Sequence, residues 1–115
     1  MNISIITFTE NGTKLAEKIR QAFVNTKTEE AKNLGLSLSD WTRQQFAEKN
    51  AIVVIGACGI AVRMIAPFVS DKLSDSPVVV ADEAGTFVIP LLSGHMGGAN
   101  ELAEQIAGQI GGIPV

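Results

Sequence analysis

The stretch AIVVIGACG, from Ala51 to Gly59, decides the class of this fold. Residues 51–55 are apolar without interruption, which is the pattern of a strand buried on both faces of a parallel sheet. The small residues that follow predict a tight turn, and the apolar residues beyond them predict a helix that ends near Pro67. A buried strand followed by a turn and a helix is the repeating unit of α/β proteins.

The amino-terminal half continues this alternation. Ile3–Phe8 predicts a first strand, and the spacing of Leu15, Ile19 and Phe23 predicts an amphipathic helix that covers one face of the sheet. Residues 25–38 are polar and weakly periodic, and they leave room for one short strand.

The rest of the chain follows the same scheme. A Ser-Asp pair at Ser39 predicts the cap of a second short helix that runs to about Lys49. Val78–Ala81 predicts a buried strand, and Phe87–Leu92 predicts another that suits an antiparallel hairpin with it. A last helix stops at Gly111, and the residues after it have the pattern of a strand that begins.

The 115 residues therefore predict one α/β domain. We expect a three-layer sandwich with a largely parallel sheet of about five strands, and mixed pairing stays open. The strand that begins at Ile113 has no chain left to complete it, so we expect an amino-terminal fragment of a longer enzyme.

Composition excludes several classes of protein. The net charge of −3 argues against a nucleic-acid binder, which needs a concentrated basic face. One cysteine excludes an internal disulfide and a cysteine-built metal site. No apolar run approaches the roughly 18 residues of a membrane span, so we expect a cytoplasmic protein.

The turn after the central strand is the first candidate site. Gly56 and Gly59 precede a helix, where free backbone N–H groups form a corner that suits an anion. A tight turn that binds nothing is an equal alternative, because the spacing is not that of a dinucleotide fingerprint. Arg63 is the only charge in the predicted helix and suits a substrate carboxylate, although a structural pair with Asp71 or Asp75 is also open.

The second candidate site lies between Phe87–Leu92 and the last helix. His95, the only histidine, is the best general acid or base in the chain because its ordinary pKa lies near neutrality. Small and polar residues surround it, and open α/β sheets place their ligands at strand ends of this kind. These neighbours are Ser93, Gly94, Gly97, Gly98 and Asn100. Ser93 and Asn100 have a structural alternative, as a turn residue and a helix-start hydrogen bonder.

Other residues give weaker evidence for a functional site. Cys58 has a simple interpretation as a small turn residue, and Asp82 with Glu83 has one as a hairpin turn. A Ser-His-Asp triad lacks its nucleophile elbow. We predict no metal site, because one histidine and scattered carboxylates do not converge.

These stretches resemble the cobalt-precorrin-5A hydrolase family, the G protein of anaerobic cobalamin biosynthesis. The resemblance extends from about Ala51 to the end, and its most specific part is the run Ser-Gly-His-x-Gly-Gly-Ala-Asn at residues 93–100. The matching stretches, in the family's order and spacing, are residues 54–63, 65–67, 71–72, 78–80, 82–83 and 91–102. Family members are much longer, with a central linker region and a separate carboxy-terminal domain.

The resemblance implies hydrolytic opening of the δ-lactone of cobalt-precorrin-5A to cobalt-precorrin-5B, with release of acetaldehyde. It implies a cobalt-bearing tetrapyrrole with many carboxylates as substrate, so that cobalt arrives in the substrate and no cofactor is needed. Such a reaction needs a general acid or base, and His95 suits that role, with Ser93 and Asn100 beside it. Arg63 and the glycines at positions 56, 59, 94, 97 and 98 then bind the substrate.

Two other functions stay open. One is a non-catalytic module that binds a tetrapyrrole or an anion while a missing domain performs the chemistry. The other is a small anion- or nucleotide-binding regulatory domain, which the lack of a phosphate-loop lysine disfavours. We expect neither nucleic acid nor a membrane as a partner, and the sequence leaves a homodimer open.

Overall fold

The computed structural model describes residues 1–95 and 97–115, in which six strands and four helices alternate except at one hairpin of two strands. The strands are β1 (Ile3–Thr7), β2 (Thr26–Glu30), β3 (Ala51–Ile55), β4 (Val78–Ala81), β5 (Phe87–Leu92) and β6 (Ile113–Pro114). The helices are α1 (Glu10–Arg20), α2 (Leu38–Glu48), α3 (Cys58–Ile65) and α4 (Ala99–Ile110), with 3-10 turns at Ala31–Asn33 and Ala66–Phe68. The alternation predicted from the sequence is confirmed.

All strands join one sheet in the order β2-β1-β3-β4-β5-β6. β1, β2, β3 and β4 are parallel, β5 is antiparallel to β4, and β6 is parallel to β5. The sheet has six strands rather than about five because β2 and β6 both join it, one at each edge. β2 is hard to see in the sequence because its residues, TKTEE, lack the apolar alternation of an inner strand.

The two faces of the sheet are covered by different helices, which gives the predicted three layers. Side chains of β3 alternate between the faces: Val53 and Ile55 pack in a core with α1 and α4, whereas Ile52 and Val54 pack in a core with α2 and α3. Every residue of β3 is buried, which is why its sequence is apolar throughout.

The helix ends differ slightly from the predicted ones. The cap of α2 is Ser37 and not Ser39, because the Ser37 hydroxyl accepts the backbone N–H of Asp40 at 3.0 Å. α3 begins at Cys58, so Gly59 lies inside the helix rather than in the turn before it. Gly111 ends α4 in the left-handed conformation, as predicted.

None of the helices formed by residues 1–95 and 97–115 is long and apolar enough to cross a membrane.

Candidate functional site

The carboxyl ends of β1, β3 and β4 share one edge of the sheet, which we call the carboxyl edge. The helix that follows β1, α1, packs on one face, and the helix that follows β3, α3, packs on the other. Neighbouring strands whose helices diverge in this way leave a crevice between their ends, and such crevices are the usual ligand sites of open α/β sheets.

Side chains after β1 line this crevice. The ring of Phe8 lies against Gly56, where a Cβ would be 3.4 Å from it. Thr9 caps α1 by accepting the backbone N–H of Gly12 at 3.0 Å, and its hydroxyl donates to the carboxylate of Glu83. Thr9 was missed in the sequence, although a threonine directly before a helix is a recognised cap.

The first turn of α3 supplies free backbone donors at the carboxyl edge. The N–H of Gly56 is already used, because it donates to the carbonyl of Ala81 at 2.9 Å. The helix cap, Ala57, offers no side-chain acceptor, and Cys58 and Gly59 are exposed. The first backbone N–H groups of a helix have no partner within that helix. The donors that remain free for an anion are therefore those of the first turn of α3, which starts at Cys58.

Arg63 is exposed on α3, and no ion pair to it is present in residues 1–95 and 97–115. The structural pairing with Asp71 or Asp75 is not observed. The carboxylate of Asp75 accepts the backbone N–H groups of Ser70 and Asp71, at 2.9 and 3.1 Å, and Asp71 accepts the N–H of Leu73.

A groove of about 290 Å³ lies beside Arg63, between the start of α2 and α3. Its lining is apolar except for Arg63 and the Ser39 hydroxyl group. The apolar members are Leu38, Ile60, Met64 and Pro67. We call this the Arg63 groove. The sequence did not reveal it, because Leu38 and Ile60 come together only when α2 packs beside α3.

The loop after β5 is held in place by Ser93. This residue is buried and adopts a left-handed conformation with φ of 56°. Its hydroxyl donates to the carbonyl of Asp75 at 3.0 Å, and its own carbonyl accepts the N–H of Ala99 at 3.2 Å. Ser93 therefore connects the loop to the segment before β4 and to the start of α4. These contacts fit the interpretation of Ser93 as a turn residue.

The glycines of this loop have steric reasons to be glycine. A Cβ on Gly97 would lie 2.5 Å from the Ser93 Cβ and 2.7 Å from its carbonyl oxygen. Gly98 caps α4 with φ of 90°, a conformation that other residues rarely adopt. A Cβ on Gly94 would lie 2.6 Å from the Asn100 Oδ1 atom, so the Asn100 side chain covers Gly94.

His95 is exposed on the outside of this loop. Among the described residues no side-chain hydrogen bond orients its ring. Met96 belongs to the same sequence signature and lies outside the described residues. The imidazole can meet a substrate from solvent, but no carboxylate or hydroxyl group of residues 1–95 and 97–115 holds it in one orientation.

The two candidate sites lie at opposite ends of the parallel strands. β5 is antiparallel to β4, and its last residue, Leu92, pairs with the first residue of β4, Val78. The loop with His95 therefore starts where the parallel strands begin, whereas Gly56 and Gly59 lie where they end. The expectation that β5 ends at the usual ligand-binding edge is wrong, because that rule applies to the parallel strands.

The remaining candidates have local explanations. Asp82 shapes the β4–β5 hairpin by accepting the N–H of Phe87 at 2.7 Å. Cys58 is exposed at the start of α3. The described residues contain no group of three or more histidine, cysteine or carboxylate side chains that could hold a metal ion.

Comparisons with known proteins place these features in a wider context. The family model described as "Cobalamin synthesis G N-terminal" matches residues 40–115. The cobalt-precorrin-5A hydrolase of Salmonella typhimurium is 41% identical over 121 residues, which cover 99% of this chain and 34% of that protein. The cobalt-precorrin-5A hydrolase of Priestia megaterium is 46% identical over 70 residues, covering 61% and 19%.

A solved structure has the same fold. The crystal structure of a homolog of cobalamin biosynthesis protein G from Sulfolobus solfataricus matches with a TM-score of 0.76 and 24% sequence identity. The match covers 99% of this chain and 36% of that one. The chain thus spans about a third, or less, of the length of these relatives.

Proposed function

Because the chain belongs to the Cobalamin synthesis G N-terminal family, we propose that it forms the amino-terminal domain of a cobalt-precorrin-5A hydrolase. The observation that carries this proposal is the 41% identity with the Salmonella typhimurium hydrolase along 99% of the chain. The reaction belongs to the longer polypeptide, in the cytoplasm, and its cobalt is part of the substrate.

The proposed reaction has two stages. Water adds to the lactone carbonyl and the acyl C–O bond breaks, leaving a carboxylate and a hydroxyl group. A base then takes the hydroxyl proton, the adjacent C–C bond breaks with its electrons moving to the macrocycle, and acetaldehyde leaves. The macrocycle carbon takes up a proton. Stage one needs an activated water and donors for an oxyanion, and stage two needs a base.

His95 is the proposed base. Its side chain is exposed between two residues with defined contacts, Ser93 through its hydrogen bond to Asp75 and Gly97 through its packing on Ser93. In this proposal a group from outside the described residues orients the ring. We propose that Ser93 and Gly97 support catalysis by holding this loop, and that Asn100 acts beside His95.

A second candidate function is a binding module that grips the substrate while another domain performs the chemistry. The separation of His95 from Arg63 favours this function, because the two residues lie at opposite ends of the parallel strands and His95 does not line the Arg63 groove. The Arg63 groove would then be the contribution of this domain.

The test is made on a complete hydrolase that carries this domain. His95→Gln is compared with Glu101→Gln, an exposed neighbour on α4, and acetaldehyde release from cobalt-precorrin-5A is measured beside macrocycle binding. We expect His95→Gln to slow release by about 10²- to 10⁴-fold with binding retained, as for loss of a general base. Equal rates of acetaldehyde release in the two variants would exclude His95 as the base and leave the binding module as the function of this domain. A wild-type enzyme that releases no acetaldehyde would refute the hydrolase.

A further inference from the structure

We propose that the Arg63 groove binds one carboxylate-bearing edge of a tetrapyrrole macrocycle. The proposal rests on the proposed function, since that function supplies a tetrapyrrole as the ligand. It identifies the residues that bind the ligand and the part of the ligand that they contact, neither of which follows from the family match.

Arg63 differs from the other two arginines in its electrostatic surroundings. Arg20 is paired with Glu17, and Arg43 is paired with Asp40 and lies 5.5 Å above the ring of Phe68. No acidic side chain pairs with Arg63 in the described parts of the chain. Its guanidinium group thus keeps its charge and its hydrogen-bond donors for a group from outside the domain.

The groove adds an apolar wall to this cation. None of its lining residues is acidic. The other cavities with basic residues contain acidic ones too: Glu83 lies in the cavity beside α1, and Glu29 and Glu48 lie in the cavity beside β2. Compared with these two cavities, the Arg63 groove suits an anion with an apolar body better.

This combination matches a tetrapyrrole edge. The guanidinium group can hold a carboxylate through two parallel hydrogen bonds, and the apolar wall can cover part of one pyrrole-derived ring. The volume of about 290 Å³ lies at the low end of small-molecule pockets, so the groove takes one ring and its side chain rather than the whole macrocycle.

The position of Arg63 on α3 strengthens the attraction. Long side chains on a helix point back toward its amino terminus, and the Arg63 Nη1 atom lies 4.0 Å from where a Cβ of Gly59 would be. The guanidinium group therefore approaches the first turn of α3, where backbone N–H groups are free. Both sets of donors favour the same negatively charged ligand.

Uroporphyrin, a stable tetrapyrrole with eight carboxylates, is the probe for a binding test on the 115-residue chain. Affinity is measured by fluorescence for the wild type, Arg63→Gln, Arg63→Lys and the matched control Arg20→Gln. We expect Arg63→Gln to weaken binding about 10- to 100-fold, as for loss of a charged hydrogen-bond partner. Arg63→Lys should retain part of the affinity because it keeps the charge without the planar fork. Arg20→Gln should bind like the wild type.

A second measurement excludes a merely structural role. Arg63 is exposed and unpaired in the described chain, so Arg63→Gln should keep the wild-type midpoint of urea unfolding. Backbone amide signals of Ser39 and Ile60 should shift when uroporphyrin is added to the wild type. Equal affinity of Arg63→Gln and Arg20→Gln would overturn the proposal, as would shifts confined to the loop at residues 93–98 or no binding at all.

The complete hydrolase separates this proposal from the proposed function. Arg63→Gln should raise KM for cobalt-precorrin-5A while kcat stays the same, because the groove holds the substrate without touching the reacting bonds. If the wild type releases no acetaldehyde, the hydrolase proposal fails. Binding of uroporphyrin that depends on Arg63 would then still support the groove.

Discussion

Two glycine-rich junctions between a strand and a helix can be compared: residues 56–59 after β3, with Gly59 already in α3, and residues 93–98 after β5. In the first, both glycines have room for a side chain: an added Cβ would lie 3.4 Å from the Phe8 ring at Gly56 and 4.0 Å from Arg63 at Gly59. In the second, Gly97 touches the backbone of Ser93, and Gly98 adopts a left-handed conformation. Glycine in a strand-to-helix segment can therefore serve packing alone, and only the surrounding contacts show which role applies.

Gly97→Ala should have the largest effect on stability. The new methyl group would lie 2.7 Å from the carbonyl oxygen of Ser93, and backbone cannot move aside as easily as a flexible side chain. We expect a loss of about 1–3 kcal/mol in the free energy of unfolding, measured by urea denaturation. Gly108→Ala is the control, because nothing lies within 4 Å of that position on α4. Equal stability of the two variants would contradict the tight loop.

Gly98→Ala should follow, with a loss of about 1–2 kcal/mol, because an L-residue at φ of 90° is strained. The same urea titration applied to Gly98→Asn separates strain from packing. Asparagine tolerates left-handed conformations better than alanine, so it should restore part of the loss. If alanine and asparagine cost the same, backbone strain is not the cause.

Ser93→Ala should cost about 1 kcal/mol, because the buried hydroxyl group no longer donates to the carbonyl of Asp75. Ser93→Gly also lacks the hydroxyl but relieves the left-handed backbone, so it should cost less than alanine. Thermal or urea unfolding of the two variants provides the measurement. A larger loss for glycine than for alanine would show that the backbone conformation at position 93 is unimportant.

Gly59→Ala has the smallest expected effect and the opposite sign. The position lies in the first turn of α3, and the nearest atom to an added Cβ is the Arg63 Nη1 atom at 4.0 Å. Alanine should therefore stabilise the domain by at most about 0.5–1 kcal/mol, read from the urea midpoint. A destabilised Gly59→Ala variant would mean that this position, like Gly97, has no room for a methyl group.

The sequence determined the class of the fold through its apolar runs. Residues 51–55 and 78–81 are apolar at every position, which is the pattern of a strand covered on both faces, and both form buried strands. It also determined the carboxyl end of α4, since Gly111 provides the left-handed cap. The residues that carry the family resemblance, 93–100 among them, were visible at this level as well.

Only the tertiary structure decided where these residues lie relative to one another. Local patterns give the type of an element but not its direction in the sheet, which depends on pairing between strands that are distant in sequence. The antiparallel pairing of β5 with β4 carries His95 to the edge opposite Gly59. Likewise, Arg63 faces an apolar groove without an acidic partner in the described chain because α2 packs beside α3.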